Sequence, residues 1–515
     1  MGDKRQSRGM SRRKFITTGA AGVSTIALTP ALLDVLLGAT GCKTSTTRAL
    51  TEAIIPEDVL KKAVGLLMAR GADFGDVFVE RAAVDSVMSD DRKINTTTTI
   101  EKGVGIRAVK DGRTFYAYTD SFEPDRIYET ARYVADAAST GAGGEAPVVS
   151  LTPLTSPLSF PIKPLPSEVA VEQKIAMFQT LTERAWAVDP RIVQAILFQR
   201  EIIRQVTIAT SSGKIANQTL GLTEIISQSF AKDKEGALQA GWDMRGAYAG
   251  RDFFTGDNSF ERVVDGAAAK ALKLLEAVDS PRGVFPVVLG PGMNGVLFHE
   301  SCGHGMEADL VYKGSNYKDQ IGKQTAAKGV TLVDDGTIAA FPGSYRFDDE
   351  GTPSQRTVLV EDGIQRSYLC DNVWGRKLGM ESTGNGRRQS FRHVPIPRMT
   401  TTYIAPGDAS PEEIIAATTK GFYAKSLAGG QVEPASGNFV FGVAEGYLIE
   451  DGRITTPLRG ATLVGNGIDI LMKIDMIAGD FEVKTGICGK DGQGVPVGTG
   501  QATLRIAEMT VGGTG

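Results

Sequence analysis

The sequence has few of the residues that build disulfide frameworks and zinc knuckles. Its 515 residues include only three histidines and four cysteines, Cys42, Cys302, Cys370 and Cys488. The cysteines are widely spaced and none forms a CxxC pair. This spacing excludes both a disulfide scaffold and a zinc-knuckle protein.

The sequence also lacks any block of lysine and arginine. Its 56 basic and 60 acidic residues give a net charge of −4, so we expect no nucleic-acid partner. Beyond the N-terminal region, no stretch reaches the roughly 18–20 apolar residues that a membrane span needs. Hydrophobic residues make up 42% and charged residues 23%, as in globular proteins. The length predicts about two to four domains.

The N-terminal 42 residues predict export. The stretch SRRKFITTGAAGVSTIALTPALL, which begins at Ser11, places Arg12-Arg13 before a short apolar run and resembles a twin-arginine signal. ATGC, which ends at Cys42, resembles a lipobox with Ala39 in place of the preferred leucine. We expect a periplasmic protein in which Cys42 is a candidate lipid anchor. A periplasmic form without lipid and a cytosolic protein with a basic N-terminal helix are the alternatives.

The rest of the chain predicts an α+β fold with two N-terminal α+β units. Helical periodicity over 57–73 and 123–139 frames strand-like runs, with Asp111-Gly112 predicting a tight hairpin. This unit is predicted to span 53–145. A second unit is predicted over 146–285, after a stretch rich in Gly, Pro and Ser.

The second unit has helical patterns over 168–187 and 259–277. A β-rich C-terminal domain is predicted over 286–515, in which Asp362-Gly363 and Asp451-Gly452 indicate two ordinary hairpins. We expect this domain to carry a distorted helix at the sequence HESCGHGMEAD.

HESCGHGMEAD contains two of the three histidines, His299 and His304. Their five-residue interval would set them about 140° apart around an ideal helix, so both could not reach one metal ion. The helix must therefore bulge or stop between them, and Gly303 is a residue type that tolerates a break. A π-like bulge would bring the imidazoles together. Glu300 follows the first histidine, where it can act as general base on a metal-activated water.

A zinc site with an open position needs a third protein ligand. Cys302 points away from both rings in most helical geometries. Cys370 lies in a strand-like run and is expected to be a buried apolar residue. His393 and Cys488 both stay candidates, and composition favours Cys488 only slightly, because a glycine-dense loop can approach a metal closely.

Four blocks in order resemble the TldD/PmbA family, the TldD-type zinc metallopeptidases also called modulators of DNA gyrase. The resemblance covers about residues 53–510. Its blocks are HESCGHGMEAD, RRQSFRHVPIPRMTTTY, GGQVEPASGNFVFGVAEGYLIEDG and CGKDGQGVPVGTGQATLRI. The resemblance implies that Zn²⁺ is bound by His299, His304 and Cys488, with Glu300 as the catalytic base. It also implies that His393 and Arg398 support the ligands or position the substrate.

The family resemblance implies a metallopeptidase that cleaves unfolded or extended peptides, as a homodimer or as a heterodimer with a TldE/PmbA-like subunit. Addition of the peptide to a sheet edge would bind it with little sequence preference. Well-known members are cytoplasmic, whereas this chain begins with an export-like segment. Two alternatives stay open: a non-catalytic zinc-containing peptide-binding subunit, and a zinc hydrolase that acts on a non-peptide amide.

Overall fold

The structure, a computed structural model, describes residues 54–139, 144–163 and 168–513. The predicted signal and Cys42 lie outside these residues, so export and lipidation stay predictions. None of the helices in the described part of the chain combines the length and the hydrophobicity that a membrane-spanning helix requires.

Seven strands from the first half of the chain form a single, mostly antiparallel sheet. Its order is β3-β2-β1-β5-β6-β4, and β7 also pairs with β6. The strands are β1 (Phe74–Asp90), β2 (Lys93–Lys110), β3 (Arg113–Thr119), β4 (Thr152–Pro153), β5 (Ile192–Thr210), β6 (Lys214–Lys232) and β7 (Leu238–Ala247).

The pairing of β1 with β5 joins the two predicted N-terminal units into this one sheet. It places Asp76 opposite Thr210 and Asp90 opposite Ile196. No local pattern predicts this pairing, because strand periodicity reports which face is buried and not which distant strand lies alongside. The two units therefore cannot be separated without breaking a long antiparallel ladder.

Four amphipathic helices lie in the described residues of this half of the chain. They are α1 (Glu57–Met68), α2 (Pro124–Ala137), α3 (Val171–Ala187) and α4 (Phe260–Glu276). All four were predicted, and α1 is shorter than predicted because the chain turns at Gly71, whose φ is +82°. The helix α4 begins at the cap residue Ser259, whose side chain accepts a hydrogen bond from the Arg262 backbone amide.

The C-terminal half, described as far as residue 513, contains sixteen strands. They are β8 (Val278–Asp279), β9 (Gly283–Leu289), β10 (Leu332–Asp335), β11 (Arg356–Glu361), β12 (Ile364–Gln365), β13 (Gly386–Arg387), β14 (Ile396–Pro397), β15 (Thr401–Ile404), β16 (Lys420–Glu433), β17 (Asn438–Glu450), β18 (Arg453–Arg459), β19 (Thr462–Asn466), β20 (Ile474–Ile477), β21 (Glu482–Lys490), β22 (Gln493–Gln501) and β23 (Leu504–Gly512). Apart from the helical segment between β9 and β10, four short α-helices lie among them: α5 (Ala308–Lys313), α6 (Asn372–Leu378), α7 (Pro411–Ala416) and α8 (Gly467–Met472).

These strands form two large sheets and a short two-stranded one. The six-stranded sheet has the order β12-β11-β10-β15-β22-β21, which makes β21 an edge strand. The eight-stranded sheet has the order β16-β9-β23-β19-β17-β18-β8, with β20 beside β23, and β16 also pairs with β17. The pair β13-β14 stands apart. The apolar core of this domain includes side chains from both large sheets and from the helical segment between β9 and β10.

Aspartate-glycine pairs form four of the tight hairpin turns in the described residues. Asp111-Gly112, Asp362-Gly363 and Asp451-Gly452 each have positive φ at both residues and connect adjacent antiparallel strands, which confirms the three predicted hairpins. Asp491-Gly492 does the same between β21 and β22. The glycine-dense stretch around Cys488, predicted as a loop, is therefore a β-hairpin.

Buried ion pairs fix the N-terminal sheet on the C-terminal domain. Asp76 on β1 pairs with Arg107 on β2 and with Arg388 of the C-terminal domain, and Arg107 also pairs with Glu350. All four side chains are fully buried. Removal of one partner would leave an uncompensated buried charge, so these pairs hold the two halves in one arrangement.

Candidate metal centre

Residues 292–306, called here the HExxxH segment, change helix type three times. The segment consists of a 3₁₀ turn (Gly292–Gly295), an α-helical stretch (Val296–Phe298), a π-helical stretch (His299–Gly303) and a second 3₁₀ turn (His304–Met306). In the π stretch the His304 amide donates to the His299 carbonyl, five residues earlier. One turn there takes an extra residue, so the two imidazoles lie on one side with ring centroids 5.3 Å apart.

A glycine is required at position 303 because a larger side chain would clash, and not because the backbone adopts an unusual conformation. Its φ of −58° and ψ of −49° are ordinary helical values. A Cβ at this position would overlap Met399 Sδ. The predicted reason for this glycine, tolerance of a helix break, is therefore wrong, because close packing against Met399 requires it instead.

Cys488 is brought to the two histidines from the other end of the domain. It lies on β21, and its Sγ is 3.3 Å from His304 Nε2. The nearest ligand atoms of His299, His304 and Cys488 all lie within 4.8 Å of one another, and the three residues are buried. Burial opposes ionisation of the thiol, but the two imidazoles outweigh it and hold the pKa of Cys488 well below its ordinary value. The thiolate, which is the ligating form, is favoured.

The chemistry of these three donors fits a borderline-soft divalent metal. His299 is 1% exposed, and neither of its ring nitrogens has a hydrogen-bond partner among the described residues. A buried imidazole without a partner is costly unless another group satisfies it. Two imidazole nitrogens and one thiolate match a zinc site that keeps a fourth position open.

Glu300 lies beside the three donors at the solvent side. Its Oε2 is 3.6 Å from His304 Nε2, and its side chain is 27% exposed, against 4% for His304. This carboxylate is outside the group of mutually close ligand atoms. It is therefore placed to exchange a proton with a molecule at the centre.

A second set of charged residues orients His304. Glu307 Oε2 lies 2.8 Å from His304 Nδ1 and 2.9 Å from Lys490 Nζ. Lys490 also donates to Asp309 over 2.6 Å. Burial alone would raise the pKa of Glu307, but Lys490 and His304 lower it to about 2. The contact of Nδ1 with a carboxylate leaves Nε2 facing Cys488.

Sequence reasoning missed Glu307, Asp309 and Lys490. A signal was present, since Glu307 and Asp309 lie within the quoted HESCGHGMEAD block and Lys490 follows Cys488 by two residues on the same strand face. Histidine ligands usually donate their second ring nitrogen to a carboxylate, so a search for such a partner would have found Glu307.

The two residues predicted to support the ligands or position the substrate are outside the group of three donors. Arg398 is fully buried and donates to the carbonyl oxygens of Cys488 and Gln493, so it holds the ligand hairpin and does not face a substrate. His393 is half-buried, with Nδ1 3.0 Å from Ser390 Oγ, and is outside the group of three donors.

The two remaining described cysteines are also outside the group of donors. Cys302 and Cys370 are fully buried, and burial raises the pKa of Cys302 to about 11 and of Cys370 to about 12. Both stay neutral thiols packed in the core.

Three family descriptions match successive parts of the chain. The PmbA/TldA metallopeptidase domain 1 matches residues 75–142, the central domain of the same family matches 164–275, and its C-terminal domain matches 282–513.

Relatives matched over all or part of their length are named as metalloproteases. The metalloprotease TldD homolog of Haemophilus influenzae is 37% identical over 90% of this chain and 98% of its own length. A metalloprotease of Methanothermobacter thermautotrophicus is 33% identical over 86% of this chain and 96% of its own length. The zinc metalloprotease TldD homolog of Saccharolobus solfataricus is 34% identical over 49% of this chain and 57% of its own length.

Solved structures share the fold. A modulator of DNA gyrase from Thermotoga maritima superposes with a TM-score of 0.72 at 20% identity, covering 88% of this chain and all of that one. TldE from Thermococcus kodakarensis gives 0.68 at 21% identity, covering 88% of this chain and 99% of that one. Together with the three matching domains and the identity to full-length relatives, these likenesses lead to one conclusion: the chain belongs to the TldD/PmbA family of metallopeptidases.

Proposed function

We propose that this protein is a zinc-dependent peptidase that cleaves unfolded or extended peptides. The observation that carries the proposal is the convergence of His299, His304 and Cys488, from segments 184 residues apart, beside the partly exposed carboxylate of Glu300. These three side chains would hold the metal. When bound, zinc would supply a Lewis acid that polarises a carbonyl oxygen and favours deprotonation of water.

Glu300 provides the acid–base chemistry of the proposed reaction. Its partly exposed carboxylate accepts a proton from the attacking water and passes it to the leaving amine. Glu307 keeps His304 in one orientation throughout, because its pKa of about 2 leaves it ionised at neutral pH.

The edge strand β21 offers a binding surface for an extended peptide. It carries Cys488, and among the described residues only β22 pairs with it. A peptide strand that adds to this edge would lie beside the proposed metal ligands and bind through its main chain. This mode of binding supports a broad choice of unfolded substrates.

The number of donors favours catalysis over a purely structural zinc. Structural sites usually have four protein ligands, whereas catalytic sites have three. In the described chain, neither His393 nor Cys370 is close enough to complete a closed site. An assembly of two subunits, either two copies of this chain or this chain with a TldE-like partner, is part of this proposal.

Chelation should abolish cleavage of an unfolded peptide by the purified protein, and one equivalent of Zn²⁺ should restore it. The loss follows because Glu300 alone cannot polarise the scissile carbonyl. Peptide cleavage by mass spectrometry and zinc content by elemental analysis are measured on the same samples. Cleavage that persists after metal removal would exclude the proposed function, and restored hydrolysis of small amides without peptide cleavage would favour a non-peptide amidase.

Glu307→Gln should weaken zinc binding by about 10- to 100-fold, the usual cost of losing a carboxylate that orients a histidine ligand. Competition with a chromophoric chelator measures the affinity. Asp309→Asn is the matched control, because it removes a carboxylate from Lys490 without touching His304. Equal zinc affinity of Glu307→Gln and wild type would show that Glu307 has no such role.

A further inference from the structure

A groove of about 490 Å³ lies between α4 and β7 on one side and the C-terminal domain on the other. This basic groove has five cationic side chains in its lining: Arg245, Lys270, Lys273, Lys425 and Lys484. Its volume lies within the roughly 300–1,000 Å³ range of pockets that bind small ligands. The groove is therefore large enough to hold an amino-acid side chain.

The charge of the groove is opposite in sign to that of the whole chain. Asp243 and Glu445 are the two carboxylates in the lining, and the net charge of the protein is −4. Each of these carboxylates already has a lysine partner: Lys270 lies 3.4 Å from Asp243, and Lys425 lies 2.9 Å from Glu445. Lys484 pairs over 2.9 Å with Glu482, which lies on the same strand face outside the lining. Five positive charges against three negative ones leave an excess of positive charge.

Two of the cations have no carboxylate partner. Among the described residues Lys273 forms no ion pair and is exposed on α4, and Arg245 donates to the neutral amide oxygen of Asn258. The side chains of Trp242 and Met293 form an apolar wall beside these two cations. Apolar walls strengthen the field of nearby charges, so the groove is suited to a carboxylate.

Strand β21 connects the basic groove to the proposed metal centre. Lys484 and Cys488 are four residues apart, so both side chains lie on the same face of the strand. Lys484 contacts the start of the HExxxH segment, since a Cβ on Gly292 would lie 3.1 Å from Lys484 Cε, and Cys488 contacts its end at His304. Four residues of strand span about 13 Å, which is also the reach of four residues of an extended peptide.

We propose that the basic groove binds a carboxylate of the peptide substrate about four residues from the position beside Cys488, and so gives the peptidase a preference for acidic peptides. This inference rests on the proposed function, because it needs an extended peptide along β21. The carboxylate belongs either to an aspartate or glutamate side chain or to the peptide C-terminus.

The test scans a single glutamate through a neutral, unstructured host peptide and compares each peptide with its glutamine counterpart. Wild-type protein should cleave the glutamate peptide about fivefold better at one position, as expected for a partly exposed charge contact, and the preference should shrink at high salt. Lys273→Glu should abolish or invert this ratio, and Lys273→Arg should keep it. Lys323→Glu, which changes an exposed lysine outside the groove, should leave the ratio as in wild type.

Peptides with a free or amidated C-terminus distinguish the two sources of the carboxylate. Binding of dye-labelled peptides to the Glu300→Gln protein, measured by fluorescence anisotropy, tests the same preference without cleavage. A binding preference without any cleavage by wild-type protein would therefore refute the peptidase proposal and not the groove assignment. Equal cleavage and equal binding of glutamate and glutamine peptides at every position would overturn the groove assignment. A Lys273→Glu protein that changes its oligomeric state and keeps its charge preference would also overturn it.

Discussion

Replacement of Glu300 by glutamine is expected to lower kcat/KM for peptide cleavage by about three orders of magnitude, within the range that general acid–base catalysis contributes. Glutamine has nearly the shape of glutamate but cannot accept a proton. Because Glu300 lies outside the group of three close donors, zinc content should stay at the wild-type level. Steady-state kinetics and elemental analysis on one preparation test both parts.

Two further variants make this result specific. Glu381→Gln removes an exposed carboxylate far along the chain from the HExxxH segment and should keep full activity. Glu300→Asp keeps a carboxylate but withdraws it by one methylene, so it should retain more activity than the glutamine variant. A Glu300→Gln protein that cleaves at the wild-type rate would refute the assignment of the base.

Cys488→Ser is expected to weaken zinc binding by more than about 100-fold, beyond the cost of losing a residue that only supports a ligand. A serine hydroxyl stays protonated near neutral pH, whereas the neighbouring imidazoles hold the pKa of the Cys488 thiol well below its ordinary value. The variant therefore replaces an anionic sulfur donor with a neutral oxygen. Chelator competition gives the affinity, and peptide cleavage should fall with the bound zinc.

Cys370→Ser serves as the control for Cys488→Ser. Cys370 is equally buried but lies outside the cluster, and its neutral thiol packs in the same core. This control variant should lose stability and keep its zinc. If Cys488→Ser bound zinc as tightly as Cys370→Ser, the third ligand would have to be sought elsewhere.

Local patterns predicted the helices well and the sheet only in part. The N-terminal helices were found because apolar periodicity and end signals are encoded in neighbouring residues. The helix predicted over 123–139 is observed as Pro124–Ala137, and that over 259–277 as Phe260–Glu276. The pairing of β1 with β5 was not foreseen, because it depends on residues more than a hundred positions apart.

The part of the candidate site formed by residues close together in the sequence was predictable, and the part formed by distant residues was not. The interval between His299 and His304 required a helix distortion, and a π-helical stretch is present there. Composition hardly distinguishes His393 from Cys488 as the third metal ligand, because it does not report which distant strand faces a helix. The family resemblance favoured Cys488, and the structure places Cys488 beside His304 and His393 outside the cluster.

The long interval between the histidines and Cys488 has a consequence for the order of biosynthesis. His304 leaves the ribosome 184 residues before Cys488, which at roughly 5–20 residues per second is about 10–40 s. During that time a nascent chain offers two imidazoles and no thiolate. If these residues bind the metal as proposed, tight capture would wait until the hairpin β21–β22 has docked, and the fraction of chains that hold metal would report the fraction that has finished folding.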